Sequence, residues 1–246
     1  MSWAVIGGSG ALPLVEDFRP LQPPVSAYRN TRPGALSAGR LGGREVIFLP
    51  RHGTPHQTAP HLINYRANVD TLRLLGVHGI VALNTVGGIS AAAESGRLVV
   101  PDQIIDYTWG RAHTFSDGNA LIHCDFARPF DEPLRQGLVS AAAAIGVPVT
   151  EGGVYGATQG PRFETAAEIV RMRRDGCDLV GMTGMPEAAL AREVELPYAM
   201  LSLVVNPAAG CADDPFDMVV IRQVAEAGMQ RVARLLVEFF ENQVGG

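Results

Sequence analysis

Short apolar segments recur along the chain, and several of them lead directly into a glycine, asparagine or threonine. Because these segments lack a polar residue at every second position, they are typical of strands buried on both faces of a sheet. The predicted strands are residues 3–6, 45–49, 79–83, 103–106, 153–158, 179–182 and 198–205. The pattern therefore predicts a buried central sheet.

Helical patterns fill the intervals between these strands. Apolar spacing predicts helices over residues 64–76, 132–145, 165–175 and 219–241, and Pro186 introduces another over 187–193. Strands that alternate with helices predict an α/β fold. We expect a single domain over residues 1–246, with a central, mostly parallel mixed sheet flanked by helices. The proline- and glycine-rich residues 19–43 are predicted to form a loop or hairpin excursion rather than a domain boundary.

The composition limits the classes of function. Hydrophobic residues make up 47% of the 246 residues, enough for a sizeable core, and the net charge of −5 argues against nucleic-acid binding. Three widely spaced cysteines without a CxxC motif argue against a disulfide framework or a zinc site. The first residues lack the basic start of a signal peptide, and no apolar stretch approaches the roughly 18 residues of a membrane helix. We therefore expect a soluble, cytoplasmic protein that does not bind a membrane.

Hydroxyl and arginine side chains follow several predicted strands, at the positions where α/β folds bind ligands. Ser9 lies in the glycine turn after the first strand, Arg51 follows the second, and Thr85 follows the third. Thr183 follows the strand predicted over 179–182. Neutral hydroxyls, backbone N–H groups next to glycines and the planar fork of an arginine can together hold one phosphate. Each residue alone is as often structural, so the prediction depends on their recurrence at equivalent strand ends.

Three histidines, His52, His56 and His61, follow Arg51 closely and could indicate a metal site. The segment has neither a helical arrangement of these histidines nor a nearby carboxylate ligand. We therefore expect no bound metal. The alternative to a role in phosphate binding is a surface loop with solvated histidines.

Three further side chains could recognise a flat heterocycle. Phe163 could stack on a ring, and Glu164 could accept a hydrogen bond from a ring N–H. Asn206 ends the longest predicted strand and could pair with an amide-like ring edge, since it carries both a donor and an acceptor. The structural alternatives are a favourable charge in the first turn of a helix for Glu164 and an Asx turn for Asn206.

Seven sequence motifs together resemble the trimeric purine nucleoside phosphorylases, and most closely their methylthioadenosine phosphorylase branch. They occur in order over nearly the whole chain, as GGSG, RHG, INYRAN, NTVGGI, GPRFETAAE, MTGMPEAALARE and LVVN. The resemblance implies the nucleoside phosphorylase fold, a homotrimer, and phosphorolysis of a purine nucleoside. It also implies inorganic phosphate as the co-substrate, without a cofactor or metal.

The resemblance also implies roles for individual residues. The phosphate-binding positions are Ser9, Arg51, His52, Thr85, Val86 through its backbone, and Thr183. Met182 matches the residue that packs against the ribose, Phe163 lies beside the purine, and Glu164 and Asn206 take the catalytic positions at the base. His123 matches a residue that enters the 5′ pocket of the neighbouring subunit, which implies active sites between subunits.

The residues at the base depart from the methylthioadenosine branch. That branch carries an aspartate at the position of Asn206, a second one at the position of Ala208, and a small residue at the position of Glu164. Asn206 and Glu164 instead match family members that prefer 6-oxopurines. This departure implies hypoxanthine or guanine as the leaving base.

The start of the last predicted helix departs from the inosine-type members, which place a histidine facing the 5′-hydroxyl. Here the residues are apolar, namely Met218, Val219 and Ile221. A 6-oxopurine edge with an apolar 5′ pocket implies cleavage of 5′-methylthioinosine to hypoxanthine and 5-methylthioribose 1-phosphate. The alternatives are 5′-methylthioadenosine, or inosine and guanosine, as substrates. Two further alternatives are a hydrolytic nucleosidase and a non-catalytic purine-nucleotide-binding protein.

Overall fold

The computed structural model of the chain describes residues 2–7, 16–28, 35–116, 118, 121–212 and 217–242. Its strands are β1 (Trp3–Gly7), β2 (Glu16–Pro20), β3 (Ser37–Leu41), β4 (Arg44–Pro50), β5 (Ile80–Gly88), β6 (Leu98–Val100), β7 (Gln103–Asp106), β8 (Val149–Glu151), β9 (Val154–Ala157), β10 (Leu179–Gly181) and β11 (Tyr198–Pro207). Its helices are α1 (Tyr65–Leu74), α2 (Glu132–Ala144), α3 (Ala166–Arg174), α4 (Gly184–Glu193) and α5 (Met218–Glu241), with a short 3-10 helix at Pro60–Leu62.

All of these strands belong to one mixed sheet, in which β5 is the central strand. The first part of β5 lies between β1 and β11, and both of these pairings are parallel. The end of β5 pairs in antiparallel orientation with β10, from which β9 and β7 continue in parallel. On the other side, β1 leads in parallel to β4, and the sheet then ends with antiparallel β3 and β2. The predicted α/β fold with a mostly parallel mixed sheet is therefore confirmed.

Both faces of the sheet are covered by helices, which explains why the central strands are apolar along their whole length. Val5 packs in a cluster with residues of α2 and α5. Its neighbour Ile6 points to the opposite face and packs in a cluster with residues of α1 and α4. Successive side chains of a strand alternate between faces, so a strand between two helical layers is apolar at every position.

The structure differs from the sequence-based prediction at several places. The short strands β6 and β8 were not predicted. Residues 19–43 include the last two residues of β2 and all of β3, so the predicted excursion is in part a strand pair at the edge of the sheet. The third predicted strand does not stop at residue 83, because β5 continues through Asn84 to Gly88. A Cβ atom on Gly88 would lie only 1.8 Å from the carbonyl oxygen of Ala93. This glycine therefore permits close backbone packing at the end of a strand rather than a turn.

Within the part of the chain that the structure describes, none of the helices has the length and apolar character required to cross a bilayer.

Candidate active site

The middle of β5 brings the arginine after β4 and the threonine after β10 to one place. Arg51 donates from Nη1 to the carbonyl oxygen of Leu83 at 2.8 Å. Asn84, the next residue, donates from Nδ2 to Oγ1 of Thr183 at 2.8 Å. Thr183 comes so close because β10 is antiparallel to β5 and its carboxyl end returns alongside Asn84. The expectation that these residues follow strand ends was wrong for Thr85, which lies inside β5, whereas Arg51 and Thr183 do follow β4 and β10.

Thr85 and Val86 lie inside β5, not after it. Thr85 is the one exposed residue of this strand, whereas Val86 is buried. The hydroxyl of Thr85 is therefore available to a ligand, and Val86 can contribute only through its backbone, as the resemblance implies. Ser9 lies outside the described residues.

The guanidinium of Arg51 is engaged within the protein. Its Nε and Nη2 donate to the two carboxylate oxygens of Glu187 at 3.0 and 2.9 Å, and Nη2 also donates to the carbonyl of Ile6 at 3.3 Å. With the bond to Leu83, these contacts use four of its five N–H groups. Only one N–H, on Nη1, is left for a phosphate. The bidentate contact expected with the anion is formed with the carboxylate of Glu187 instead.

Glu187 is completely buried, and its carboxylate is saturated with donors. Tyr198 donates from its hydroxyl to Oε1 at 2.9 Å, in addition to the two bonds from Arg51. Burial opposes the charge of Arg51, but the carboxylate of Glu187 raises the pKa of this guanidinium above its ordinary value. Burial, followed by the charge of Glu187, raises the pKa of Tyr198 well above 10. The guanidinium of Arg51 therefore stays charged, and the hydroxyl of Tyr198 stays protonated.

Thr183 is fixed by hydrogen bonds to its backbone and its side chain. Its backbone N–H donates to the hydroxyl of Tyr155 at 3.4 Å, and its own hydroxyl accepts from Asn84. A hydroxyl that already accepts keeps its hydrogen for another partner. A Cβ atom on Gly181 would lie 2.1 Å from the Tyr155 hydroxyl oxygen, so this glycine makes room for the tyrosine. Thr183 is thus poised as a neutral donor to an anion.

His52 is held as a neutral side chain. Its Nδ1 lies 2.9 Å from the carbonyl oxygen of Thr58, and its ring stacks on His56 with centroids 4.1 Å apart. Burial, assisted by the charges of Arg51 and His56 and opposed by the bond to Thr58, lowers the pKa of His52 to about 4. Because the carbonyl requires the proton on Nδ1, the neutral ring offers Nε2 as an acceptor. Among the described residues, no group of three histidine, cysteine or acidic side chains could hold a metal ion.

The low pKa of His52 predicts a loss of stability in mild acid. An unfolded histidine titrates near 6.5 and the folded one near 4, so the unfolded state binds the proton first as the pH falls. The free energy of unfolding should therefore decrease between pH 6.5 and pH 4. Urea unfolding at pH 7.5 and pH 5 should show a smaller acid-induced loss for His52→Gln than for the wild type. Equal losses in the two proteins would contradict this account.

The carboxylate of Glu164 is oriented by a threonine at the end of β9. Thr158 donates from Oγ1 to Oε1 of Glu164 at 2.6 Å. The following helix α3 begins with a capping box between Thr165 and Glu168, which fixes where the segment carrying Glu164 ends. Phe163, the preceding residue, is 52% exposed and leaves part of its ring surface accessible.

Asn206 lies near the end of β11, directly after an irregularity in its pairing with β5. It is partly exposed and pairs in register with Gly87, and its Nδ2 donates to the carbonyl of Pro207 at 2.7 Å. Ala208, where the methylthioadenosine branch has its second aspartate, is buried and bonds through its backbone N–H to Gly88 at 2.8 Å. The Oδ1 atom of Asn206 and the second hydrogen on its Nδ2 are the side-chain groups that remain for a ligand.

The predicted apolar surface is present in the first turn of α5. Met218 and Val219 are 44% and 63% exposed, and Ile221 is partly buried. The helix is capped by Asp217, whose carboxylate accepts a hydrogen bond from the backbone N–H of Val219 at 2.7 Å. These side chains offer an apolar surface to a ligand or to another subunit.

His123 lies near the start of β11, away from Asn206 near the end of that strand. It is exposed and lines a cavity of about 440 Å³ that also includes Tyr198, the first residue of β11. Asn206 lies near the opposite end of the same strand. At about 3.3 Å per residue, Tyr198 and Asn206 are separated by roughly 26 Å along β11. This cavity therefore lies at the end of β11 that is opposite to Asn206.

Sequence reasoning missed the residues that hold the predicted ones in place. Glu187 pairs with Arg51, Asn84 binds Thr183, and Thr158 binds Glu164. Two of these partner residues lie within the motifs on which the resemblance rests. Asn84 is the first residue of NTVGGI, and Glu187 is the last residue of MTGMPE. A glutamate within an otherwise apolar run is the signal that could have indicated a buried ion pair.

Known proteins with the same architecture are enzymes that act on purine nucleosides. A protein of Pseudomonas syringae pv. tomato named probable S-methyl-5'-thioinosine phosphorylase is 49% identical over 240 residues, covering 95% of this chain and 96% of the relative. The 6-oxopurine nucleoside phosphorylase of Pyrococcus furiosus is 38% identical over 241 residues, covering 95% and 90%. The crystal structure of a methylthioadenosine phosphorylase from an Antarctic soil metagenomic library has a TM-score of 0.90 at 29% identity, covering 97% of this chain and 85% of that one.

The sequence profile described as the phosphorylase superfamily matches residues 2–241, which is nearly the whole chain. The chain belongs to the phosphorylase superfamily.

Proposed function

We propose that this protein cleaves 5′-methylthioinosine with inorganic phosphate, giving hypoxanthine and 5-methylthioribose 1-phosphate. The observation that carries the choice of base is the carboxylate of Glu164, oriented by Thr158 on one side of the site, with the amide of Asn206 at the end of β11. The 6-oxopurine and methylthioinosine names of similar proteins agree with this choice. We further propose a cytoplasmic homotrimer that acts in purine salvage and needs no metal or cofactor.

Phosphate supplies the nucleophile and balances the charge of the transition state. The bond between the purine and C1′ breaks as positive charge develops on the ribose, and a dianion held beneath C1′ both attacks and offsets that charge. Ser9, Thr85 and Thr183 would donate from hydroxyls, and Arg51 from its remaining Nη1–H. His52 would accept the hydrogen of a singly protonated phosphate through Nε2.

The leaving base takes up negative charge. Asn206 and Glu164 would hydrogen-bond to the base and stabilise it as it leaves. In a 6-oxopurine that charge spreads onto O6 and the imidazole nitrogens, where an asparagine amide can donate. The carboxylate of Glu164 would accept from N1–H. A 6-aminopurine has no hydrogen on N1, so its lone pair would face this carboxylate, and buried polar mismatches of this kind are costly.

The 5′ end of the nucleoside would lie against the apolar start of α5. Met218, Val219 and Ile221 suit a methylthio group better than a hydroxyl. Met182 would pack against the ribose. His123 would complete the pocket from a neighbouring subunit, which is why the proposal includes an oligomer.

A substrate panel tests the proposed base and 5′ preferences. The kcat/KM of the wild type at saturating phosphate should be highest for 5′-methylthioinosine. It should fall strongly for 5′-methylthioadenosine and by a smaller factor for inosine, because an apolar pocket rejects an added hydroxyl only modestly. A preference for methylthioadenosine would contradict the roles of Asn206 and Glu164, and a preference for inosine would contradict the apolar 5′ pocket.

A further inference from the structure

Arg111 is a second buried arginine beside the candidate site, and it lies outside the seven sequence motifs. It follows β7, and all five of its N–H groups have acceptors. We propose that Arg111 is a positioning residue for phosphorolysis, because its guanidinium joins the segment that carries Met182 and Thr183 to the segment that leads to Glu164. The inference rests on the proposed function and adds a residue to it.

The first segment that Arg111 holds is the start of α4. Nη1 donates to the carbonyl oxygen of Met182 at 2.9 Å and to that of Met185. Thr183 lies between these two residues. Met185 has non-helical backbone angles inside α4, so its carbonyl is outside the regular helical hydrogen-bond pattern. Arg111 therefore fixes the backbone on both sides of the threonine that we assign to phosphate.

The second segment lies between β9 and Glu164. Nη2 of Arg111 donates to the carbonyl oxygens of Thr158 and Gln159 at 3.1 and 2.8 Å, and Nε donates to Oε1 of Gln159 at 3.1 Å. Thr158 is the residue whose hydroxyl binds Glu164. One planar cation thus sets the distance between the phosphate side and the base side of the site.

Tyr65 extends the same contact to a third segment. The guanidinium of Arg111 lies over its ring, 5.5 Å from the centroid, and Nη1 is 3.3 Å from its hydroxyl. That hydroxyl donates to the carbonyl of Pro60 at 2.9 Å, in the loop that follows Arg51 and His52. The position of this loop therefore also depends on Arg111.

The charge of Arg111 is compensated by carbonyl groups rather than by a carboxylate of the described residues. Within the part of the chain that the structure describes, Arg111 forms no ion pair, whereas the charge of Arg51 is offset by Glu187. Burying an unpaired cation costs free energy unless dipoles or an anion compensate for it. Carbonyl dipoles do so here in part, and a phosphate dianion next to Thr183 would do so further. Binding of phosphate should therefore stabilise the wild type more than a variant that lacks this guanidinium.

Arg111→Lys tests the inference, with Arg135→Lys as the matched control. Arg135 is equally buried and donates from Nε to the carbonyl of Pro101 at 2.9 Å, but it lies on α2 and pairs with Glu132. Both substitutions keep the charge and lose the planar fork, so both should lower the Tm. For methylthioinosine phosphorolysis, only Arg111→Lys should raise the phosphate KM and lower kcat, each by about tenfold, as for the loss of one charge-assisted hydrogen bond.

A second, milder variant tests the inference if Arg111→Lys fails to fold. Gln159→Leu removes the acceptor of Nε, an oxygen that also accepts from the backbone N–H of Trp109 at 3.2 Å, and keeps the other bonds of Arg111. It should change the same two constants in the same direction, by a smaller factor. Both variants should loosen the backbone around Thr183 and so weaken phosphate binding. The rise in Tm on adding inorganic phosphate should therefore be smaller for both variants than for the wild type and Arg135→Lys. Unchanged kinetic constants per folded enzyme in both variants would overturn the inference.

Different outcomes would contradict this inference and the proposed function. A wild type without phosphorolysis would contradict the proposed function, and the Tm rise with phosphate would then decide on Arg111 alone. A rise that is equal in the wild type and Arg111→Lys, or absent in both, would overturn the role of Arg111.

Discussion

Replacing Arg51 by methionine is expected to lower the free energy of unfolding by about 3–5 kcal/mol, the cost typical of removing one partner from a buried ion pair. The substitution leaves the carboxylate of Glu187 completely buried without its bidentate partner. It also removes the donors of the Leu83 and Ile6 carbonyls. The methionine fills much of the space, so the loss comes mainly from the unpaired charge.

A double-mutant cycle isolates the interaction free energy between Arg51 and Glu187. Glu187→Gln keeps an acceptor for the hydroxyl of Tyr198 but removes the charge. In urea unfolding, the double variant Arg51→Met with Glu187→Gln should therefore lose less stability than the sum of the single variants. Arg19→Met, which breaks the exposed pair of Arg19 with Glu45, should change the stability little. A loss for Arg51→Met as small as that for Arg19→Met would contradict the assignment of the buried pair.

Arg51→Met should raise the phosphate KM by less than the loss of a bidentate arginine–phosphate contact would. Only one N–H of Arg51 is left for a ligand once its internal bonds are made. The phosphate KM of Arg51→Met must therefore be measured per folded enzyme, since the lost stability also lowers the apparent activity.

The double variant Asn206→Asp with Glu164→Ser is expected to shift kcat/KM from methylthioinosine toward methylthioadenosine. An aspartic acid at 206 can protonate N7 of an aminopurine, and removal of Glu164 relieves the clash with an unprotonated N1. Each repaired polar mismatch is worth on the order of 1–3 kcal/mol, or roughly ten- to a hundredfold in kcat/KM. The combined change is therefore the largest alteration of specificity that we expect from the site.

The single variants and a neighbouring position supply the controls. Glu164→Ser alone should lower kcat/KM for methylthioinosine, because N1–H loses its acceptor. Thr158→Val should have the same effect to a smaller degree, since it frees the carboxylate that Thr158 orients. Thr150 lies on β8, and its hydroxyl donates to the carbonyl of Ala92. Thr150→Val should leave the ratio of the kcat/KM values for the two substrates unchanged. An unchanged ratio in the double variant would contradict the assignment of the base-binding residues.

The helices and the long buried strands could be predicted from the sequence because their apolar patterns are strong. The predicted strand 103–106 coincides with β7, and all five predicted helices occur with ends shifted by a few residues. The strand pair β2–β3 at one edge was missed, and β2 contains Glu16, Asp17 and Arg19, which give no apolar pattern. Residues of this kind are depleted in strands, and here the pairing with β3 decides the structure.

The directions of the strands and the buried partners could not be predicted. Apolar periodicity indicates burial and not orientation, so nothing in residues 179–182 indicates that β10 is antiparallel to β5. That orientation is what places Thr183 beside Asn84. Arg51 and Glu187 are 136 residues apart in the chain, and their pairing depends on the packing of α4 against the sheet. The residue types of the site were thus accessible from sequence, whereas their hydrogen-bond partners required the fold.

The requirement for phosphate tests the central claim most directly. The cleavage of 5′-methylthioinosine by the wild type should be followed in phosphate-free buffer and again with saturating phosphate, with the sugar product identified by ³¹P NMR. We predict turnover only with phosphate, and 5-methylthioribose 1-phosphate in an amount equal to the hypoxanthine released. Equal rates without phosphate, with free 5-methylthioribose as the product, would show a hydrolase and contradict the proposed function.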